Sequence, residues 1–170
     1  MKLLEYEAKR VLSQYGIAIP KGVLIRSPEE LEAVLPGFEH GLVLKAQVEV
    51  GGRGKAGGIL MAEQGNAMAL ASSMLGNTLK GIPVREVLAE ERLGIQHEFY
   101  LGIAIDRSTR QAAIMFADQG GVDIEALAKS DPEAVRKFTL STLVCEIPPF
   151  MLRALLGGAP RELGIVINQL

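Results

Sequence analysis

The apolar positions of this chain recur first at helical spacing. Between residues 3 and 14, Leu4, Ala8, Val11 and Leu12, with Tyr15 beyond, form one stripe, while Glu5, Glu7, Lys9 and Arg10 lie mostly outside it. Gly16 is placed to stop that helix. An extended segment over 17–20 leads to a predicted strand, 22–25. Ser27-Pro28-Glu29-Glu30 combines an N-cap serine, a proline at the first helical position and an acid at the third. The helix it opens ends near Leu35, before Pro36-Gly37. Residues 42–62 then read as strand, glycine-rich loop, strand.

An Ala-, Met- and Leu-rich run over 65–75 predicts a helix closed by Gly76-Asn77, with Met68 and Met74 as core filler. A strand is expected over 84–90, then a connection, 92–96. Two strands, 98–105 and 112–117, flank the turn residues Asp106-Arg107-Ser108-Thr109-Arg110. Gln119-Gly120-Gly121 breaks the second. Helices are expected over 122–129, 150–156 and 160–170, with a short turn or helix capped by 130–133. Leu163, Val166, Ile167 and Leu170 fall on one side of the last helix, an apolar stripe with no following element to cover it. This order of strands, helices and hairpins predicts an α+β fold rather than a doubly wound one.

The chemistry concentrates in Leu42 to Met61, LVLKAQVEVGGRGKAGGILM. Lys45 ends an apolar strand, and the loop after it holds Gly51, Gly52, Arg53, Gly54, Lys55, Gly57 and Gly58. Glycines let the backbone turn through positive φ and approach a ligand closely. Successive amides in such a loop form a concavity for phosphate oxygens, and cations beside it neutralise the charge. Three cations stand here against one acid, Glu49, in a chain of net charge −2. That inversion points to an anionic ligand, although a glycine-rich loop by itself also fits a solvated hairpin turn.

GRGKAG, residues 52–57, matches the dinucleotide fingerprint letter for letter, but a strand follows it and no acid stands near Asn77. The P-loop pattern fails because Ala56 follows Lys55. A strand–loop–strand cover over nucleotide phosphates fits the layout better, without the other motifs of protein kinases. Glu90 and Glu98, at a strand end and a strand start, suit ribose or purine hydrogen bonds. Each is equally an ordinary solvent-facing glutamate.

Composition narrows the rest. Aromatic residues make up 5% of the chain, tryptophan is absent, and 18 basic residues face 20 acidic ones. Nucleic-acid stacking therefore has little to work with. The single cysteine, Cys145, excludes an internal disulfide and reads as a buried small hydrophobe. No apolar run reaches membrane-spanning length, and charges enter the first ten residues too early for a signal peptide, so no membrane partner and a cytoplasmic location are expected. His40 and His97 stand alone in turn-like settings.

Three ordered blocks carry a resemblance over nearly the whole chain: LLEYEAKRVLSQYGIAIPKG, LKAQVEVGGRGKAGG and EFYLGIAIDRSTRQAAIMFADQGGVDIE, followed more loosely by EIPPFMLRALL. Together they resemble the N-terminal, ATP-grasp part of the β subunits of succinyl-CoA synthetase and related acyl-CoA ligases. The resemblance implies an incomplete ATP-grasp domain over 1–170, with mixed or antiparallel sheets and flanking helices. Its glycine-loop lobe would span 21–97, and its second lobe 98–170 together with 1–20. It further implies ATP or ADP as ligand, with Lys45 on phosphate and Gly52, Arg53 and Gly54 over the phosphates. Glu90 and the segment to Leu93 would border adenine and ribose, and Glu98 would bind the nucleotide. Glu91, Arg92 and Leu93 depart from the small residues expected beside the family's hinge.

The residues that hold Mg²⁺ in the family, and the ligase domain that meets an α subunit bearing a phosphohistidine, are expected outside these residues. The activity implied is formation of succinyl-CoA, ADP and phosphate from succinate, CoA and ATP, with this chain inactive alone and without a covalent catalytic residue. Two other readings remain open at this stage: another ATP-grasp or kinase-like phosphotransferase, and a non-catalytic interaction module whose apolar C-terminal stripe seeks a partner.

Overall fold

The computed structural model describes residues 2–141 and 147–170, so Cys145 lies outside the described residues. The chain forms two units, 1–94 and 95–170.

The first unit contains α1 (Glu5–Gln14), β1 (Gly22–Ile25), α2 (Pro28–Val34), β2 (Leu42–Ala46), β3 (Ile59–Ala62), α3 (Ala67–Met74), β4 (Thr78–Leu79), β5 (Ile82–Pro83) and β6 (Val87–Glu91). Four strands form an antiparallel sheet in the order β1-β6-β2-β3. Ser27 caps α2 as its sequence predicts, its hydroxyl accepting from the Glu30 amide. Leu44 lies opposite Ala89 and Leu60, and Ala46 opposite Val87, so these apolar residues share one face. That face joins Ile25, Leu31, Phe38, Ala67, Ala71 and Met74 in a buried core. The other face carries what alternation leaves: Val43 opposite Glu90, and Lys45 opposite Leu88.

The opening helix departs from its expected role in two ways. Residues 1–20, grouped with the second lobe on sequence, belong to the first unit. Val11 and Tyr15 of the expected apolar stripe are 41% and 63% exposed, and α1 buries no residue fully. Its Glu5 and Lys9 reach the charged face of the sheet instead. Leu4, Ala8 and Leu12 of the stripe are half-buried, so periodicity reads the helix only in part and ion pairs hold it as well.

The hairpin β4–β5 and the later start of β6 were not expected either. Val84 extends that hairpin instead, its amide donating to the Asn77 carbonyl at 2.8 Å and its carbonyl accepting from the Gly76 amide at 3.0 Å.

The second unit contains β7 (Tyr100–Asp106), β8 (Gln111–Ala117), α4 (Ile124–Ser130), β9 (Val135–Ser141), α5 (Pro149–Leu156) and α6 (Leu163–Gln169). The strands form an antiparallel sheet in the order β7-β8-β9. Asp106 organises the β7–β8 turn by accepting from the Ser108 amide at 2.9 Å and the Ser108 hydroxyl at 2.6 Å. Strand β9 has no counterpart in the sequence reading, because Arg136 and Lys137 interrupt its apolar pattern. It is specified by pairing: Phe138 lies opposite Ile114, and Leu140 opposite Ala112.

The apolar stripe of the last helix is covered within this unit. Ile167 is buried with Ile114, Phe116, Leu155 and Leu156, and Leu163 packs against them. Gly164 permits the approach, since a Cβ there would stand 3.3 Å from Leu152 Cδ2. Leu170, at 50% exposure, is the member left open. The C-terminal stripe therefore offers little support for an interaction module.

Candidate functional site

Five charged side chains meet on the α1 face of the first unit's sheet. Lys45 projects from β2 to Glu90 Oε2 at 2.5 Å and Glu5 Oε1 at 3.1 Å. Lys9, one helical turn after Glu5, bonds the same Glu5 oxygen at 2.9 Å and the other oxygen of Glu90. Arg53, from the glycine-rich loop, contacts Glu5 Oε2 at 2.5 Å and donates to the Ala46 carbonyl at 2.8 Å. Three cations thus face two carboxylates.

Strand register brings this about. Residues 43 and 45 of β2 point the same way as 88 and 90 of β6, which makes Lys45 and Glu90 diagonal neighbours. Gly22 of β1, directly opposite Glu90, leaves room for that carboxylate: a Cβ there would lie 2.9 Å from Glu90 Cγ. Glu90 is 2% exposed, and a charge so buried requires partners. Gln47 ties helix to strand, its Oε1 accepting from the Tyr6 amide at 3.1 Å and its Nε2 donating to the Lys45 carbonyl at 2.9 Å.

Burial alone would raise the Glu5 carboxyl. Hydrogen bonding from Lys9 and the charge and hydrogen bond of Lys45 outweigh it and hold the group at about 2. For Lys45, burial acts to lower the ammonium, but hydrogen bonding to Glu90 and the Glu5 charge prevail and raise it. Both groups are therefore ionised throughout the neutral range.

The glycine-rich loop folds on itself while leaving donors free. Gly58 donates to the Arg53 carbonyl at 2.8 Å, and Ala56 donates to the same carbonyl at 3.1 Å. Among the described residues, none accepts from the amides of Gly52, Arg53, Gly54 or Lys55. Gly52 has φ +67°, a conformation other residues rarely adopt. Lys80 clamps the loop's start by donating to the Gly51 carbonyl at 2.7 Å.

Lys45, Arg53 and Glu90 are thus brought together, with Gly52 and Gly54 flanking Arg53 in the loop. Leu93 follows β6 and is 52% exposed. Glu98 belongs to the second unit, where its carbonyl accepts from the Gly120 amide at 2.7 Å. Gly121, at φ +66°, lies against the Glu98 carboxylate: a Cβ there would stand 2.6 Å from its Oε2.

The sequence reading missed Glu5, Lys9 and Gln47. The Glu5–Lys9 pair, spaced i to i+4 with the acid first, was the available signal.

Two cavities flank the charge cluster. One, of about 360 Å³, is lined by Leu3, Glu5, Val48, Gly51 and Arg53. The other, of about 430 Å³, is lined by Tyr6, Lys9, Lys21, Leu24, Leu88 and Glu90. The carboxylates between them do not suit Mg²⁺, because cations already engage both Glu5 and Glu90. Among the described residues no group of three or more His, Cys, Asp or Glu could hold a metal ion. No described helix is long and apolar enough to cross a membrane.

Antiparallel sheets with flanking helices, and a cationic glycine-rich hairpin on one of them, define an α+β class of fold. Residues 2–158 match the family model described as ATP-grasp domain, and the chain belongs to that family. Among curated relatives, the GDP-forming succinate–CoA ligase β subunit of Thermus thermophilus is 42% identical over 139 residues, covering 81% of this chain and 37% of that protein. The ADP-forming β subunit of Wolinella succinogenes is 38% identical over 180 aligned positions, covering 99% and 46%. The chain therefore spans less than half the length of these relatives.

Among solved structures, ATP citrate lyase from Methanothrix soehngenii, in complex with citrate and coenzyme A, matches with TM-score 0.61 and 26% identity, over 83% of this chain and 35% of that one. A dinucleotide-forming acetyl-coenzyme A synthetase from Ca. Korarchaeum cryptofilum shares the fold, with TM-score 0.67 and 21% identity, over 94% and 66%.

Proposed function

We propose that this chain provides the nucleotide-phosphate-binding part of an ADP-forming acyl-CoA synthetase β chain, with succinate as the acid. One observation carries the reading. Lys45 and Arg53 converge on a single carboxylate beside four loop amides that have no partner among the described residues. Such a place offers cations and backbone donors together to phosphate oxygens. Lys45 orients and neutralises phosphates, while Gly52, Arg53 and Gly54 close over them. Glu90 and Leu93 border the adenine and ribose, and Glu98 adds a nucleotide contact.

The relatives' names support succinate and CoA as substrates, and both ADP-forming and GDP-forming proteins occur among them. Mg²⁺ would bind through residues outside this chain, and a histidine of an α subunit would take the phosphoryl group, becoming the phosphohistidine. The chain works in the cytoplasm and is inactive by itself.

Thermal unfolding with and without MgADP or MgATP tests the nucleotide site. A ligand that binds only the folded state raises the melting temperature. We expect a rise for the wild type and a smaller one for Lys45→Ala. Equal shifts in both proteins would remove Lys45 from the site, and no shift at millimolar nucleotide would overturn binding by this chain.

A further inference from the structure

We infer that the Glu5 carboxylate stands in for nucleotide phosphate oxygens, and that α1 is a displaceable plug which a nucleoside polyphosphate exchanges off the β2–β6 face. The inference rests on the nucleotide reading above and adds how the site is held before ligand arrives. Both Glu5 oxygens are spent on the two cations assigned to phosphate: Oε1 on Lys45 at 3.1 Å and Oε2 on Arg53 at 2.5 Å. A carboxylate with one oxygen on each cation resembles a phosphate group bridging them.

The attachment of α1 suits exchange. The helix has ten residues and buries none of them fully; Tyr6, Ala8 and Leu12 are half-buried. Isolated helices of that length are marginal in water. What holds it are the contacts of Glu5 and Lys9 with the sheet and loop, and the Tyr6 amide on Gln47. These are charge and hydrogen-bond contacts, for which a more highly charged anion can compete.

The competitor is stronger. A nucleoside di- or triphosphate brings several negative charges and many acceptor oxygens, against one charge and two oxygens for Glu5. The four loop amides, unpartnered among the described residues, are donors that Glu5 does not use. The two cavities flank the plug, one touching Glu5 and Arg53 and the other Lys9 and Glu90, so leaving it would join them. Glu90 keeps Lys45 as its partner when Lys9 departs, and no buried carboxylate is stranded.

Limited trypsin digestion of the 170-residue protein, read by mass spectrometry with and without MgADP, tests the exchange. We expect nucleotide to slow cutting after Arg53 and Lys55 while speeding it after Lys9 and Arg10, because the loop closes as the helix is freed. Slower cutting at the loop with unchanged or slower cutting in α1 would overturn the inference and leave nucleotide binding standing. Faster cutting in α1 without loop protection would also overturn it, since the loop cations would not be engaged. No change at any site, together with no thermal shift, would remove the nucleotide reading as well.

The variant Glu5→Gln adds an independent arm, by calorimetric titration with MgADP. Removing the internal competitor lifts the penalty of a closed ground state, and affinity should tighten by roughly five- to tenfold. Weaker or equal affinity in a variant with wild-type circular dichroism would assign Glu5 to positioning the cations instead.

Discussion

Gly22 shows how much one residue can decide in this site. Its lack of a side chain lets Glu90 stay buried beside β1, within reach of both Lys9 and Lys45. In Gly22→Ala the new methyl would sit 2.9 Å from Glu90 Cγ and 3.3 Å from the Ala89 carbonyl oxygen. The carboxylate or the backbone must shift, at a cost of about 1–3 kcal/mol. Urea unfolding should show that loss, and an unchanged midpoint would mean that the strand pair yields more easily than this spacing allows. From sequence, Gly22 reads only as the first residue of a strand. Its role depends on a partner 68 positions away, which only the β1–β6 register supplies.

At the scale of elements, α1 is the piece whose stability should follow pH. Glu5 is depressed from 4.5 to about 2, so its contribution is complete above about pH 4.5 and is lost as pH falls toward 2. Lys45 is raised above 10.5, so its contribution holds below that value and fades only as pH rises through its elevated folded value. We expect the wild type to lose more stability than Glu5→Gln between neutral pH and about pH 3, measured by urea midpoints. Parallel losses in the two proteins would place the acid sensitivity in other carboxylates.

The elements differ in how readily they could be read. Strand β1, the capped α2 and the hairpin β2–β3 follow from local signals: alternation, a serine cap and a glycine-rich loop. Strand β9 and the docking of α1 do not, because each depends on residues distant in the chain.

At the scale of the whole molecule, the two units each enclose their own apolar core. The stretch between β6 and β7 includes Leu93 and Ile95, exposed at 52% and 64%. Exposed connections between units are preferred sites of nicking. Mild digestion there should release a fragment ending near residue 92 whose sheet stays folded with α1 attached. Rapid further degradation of that fragment would mean that the first unit depends on the rest of the chain.

The sequence alone was sufficient for the α+β class, for most strands and helices, and for a cationic glycine-rich loop after Lys45. These depend on local composition and period, which any stretch of chain carries with it. Tertiary structure decided which charges meet. Period-two alternation set Lys45 and Glu90 on one face only once β2 and β6 were in register. Glu5 and Lys9 joined them because a buried carboxylate and a cationic loop need counter-charges, and α1 could supply them.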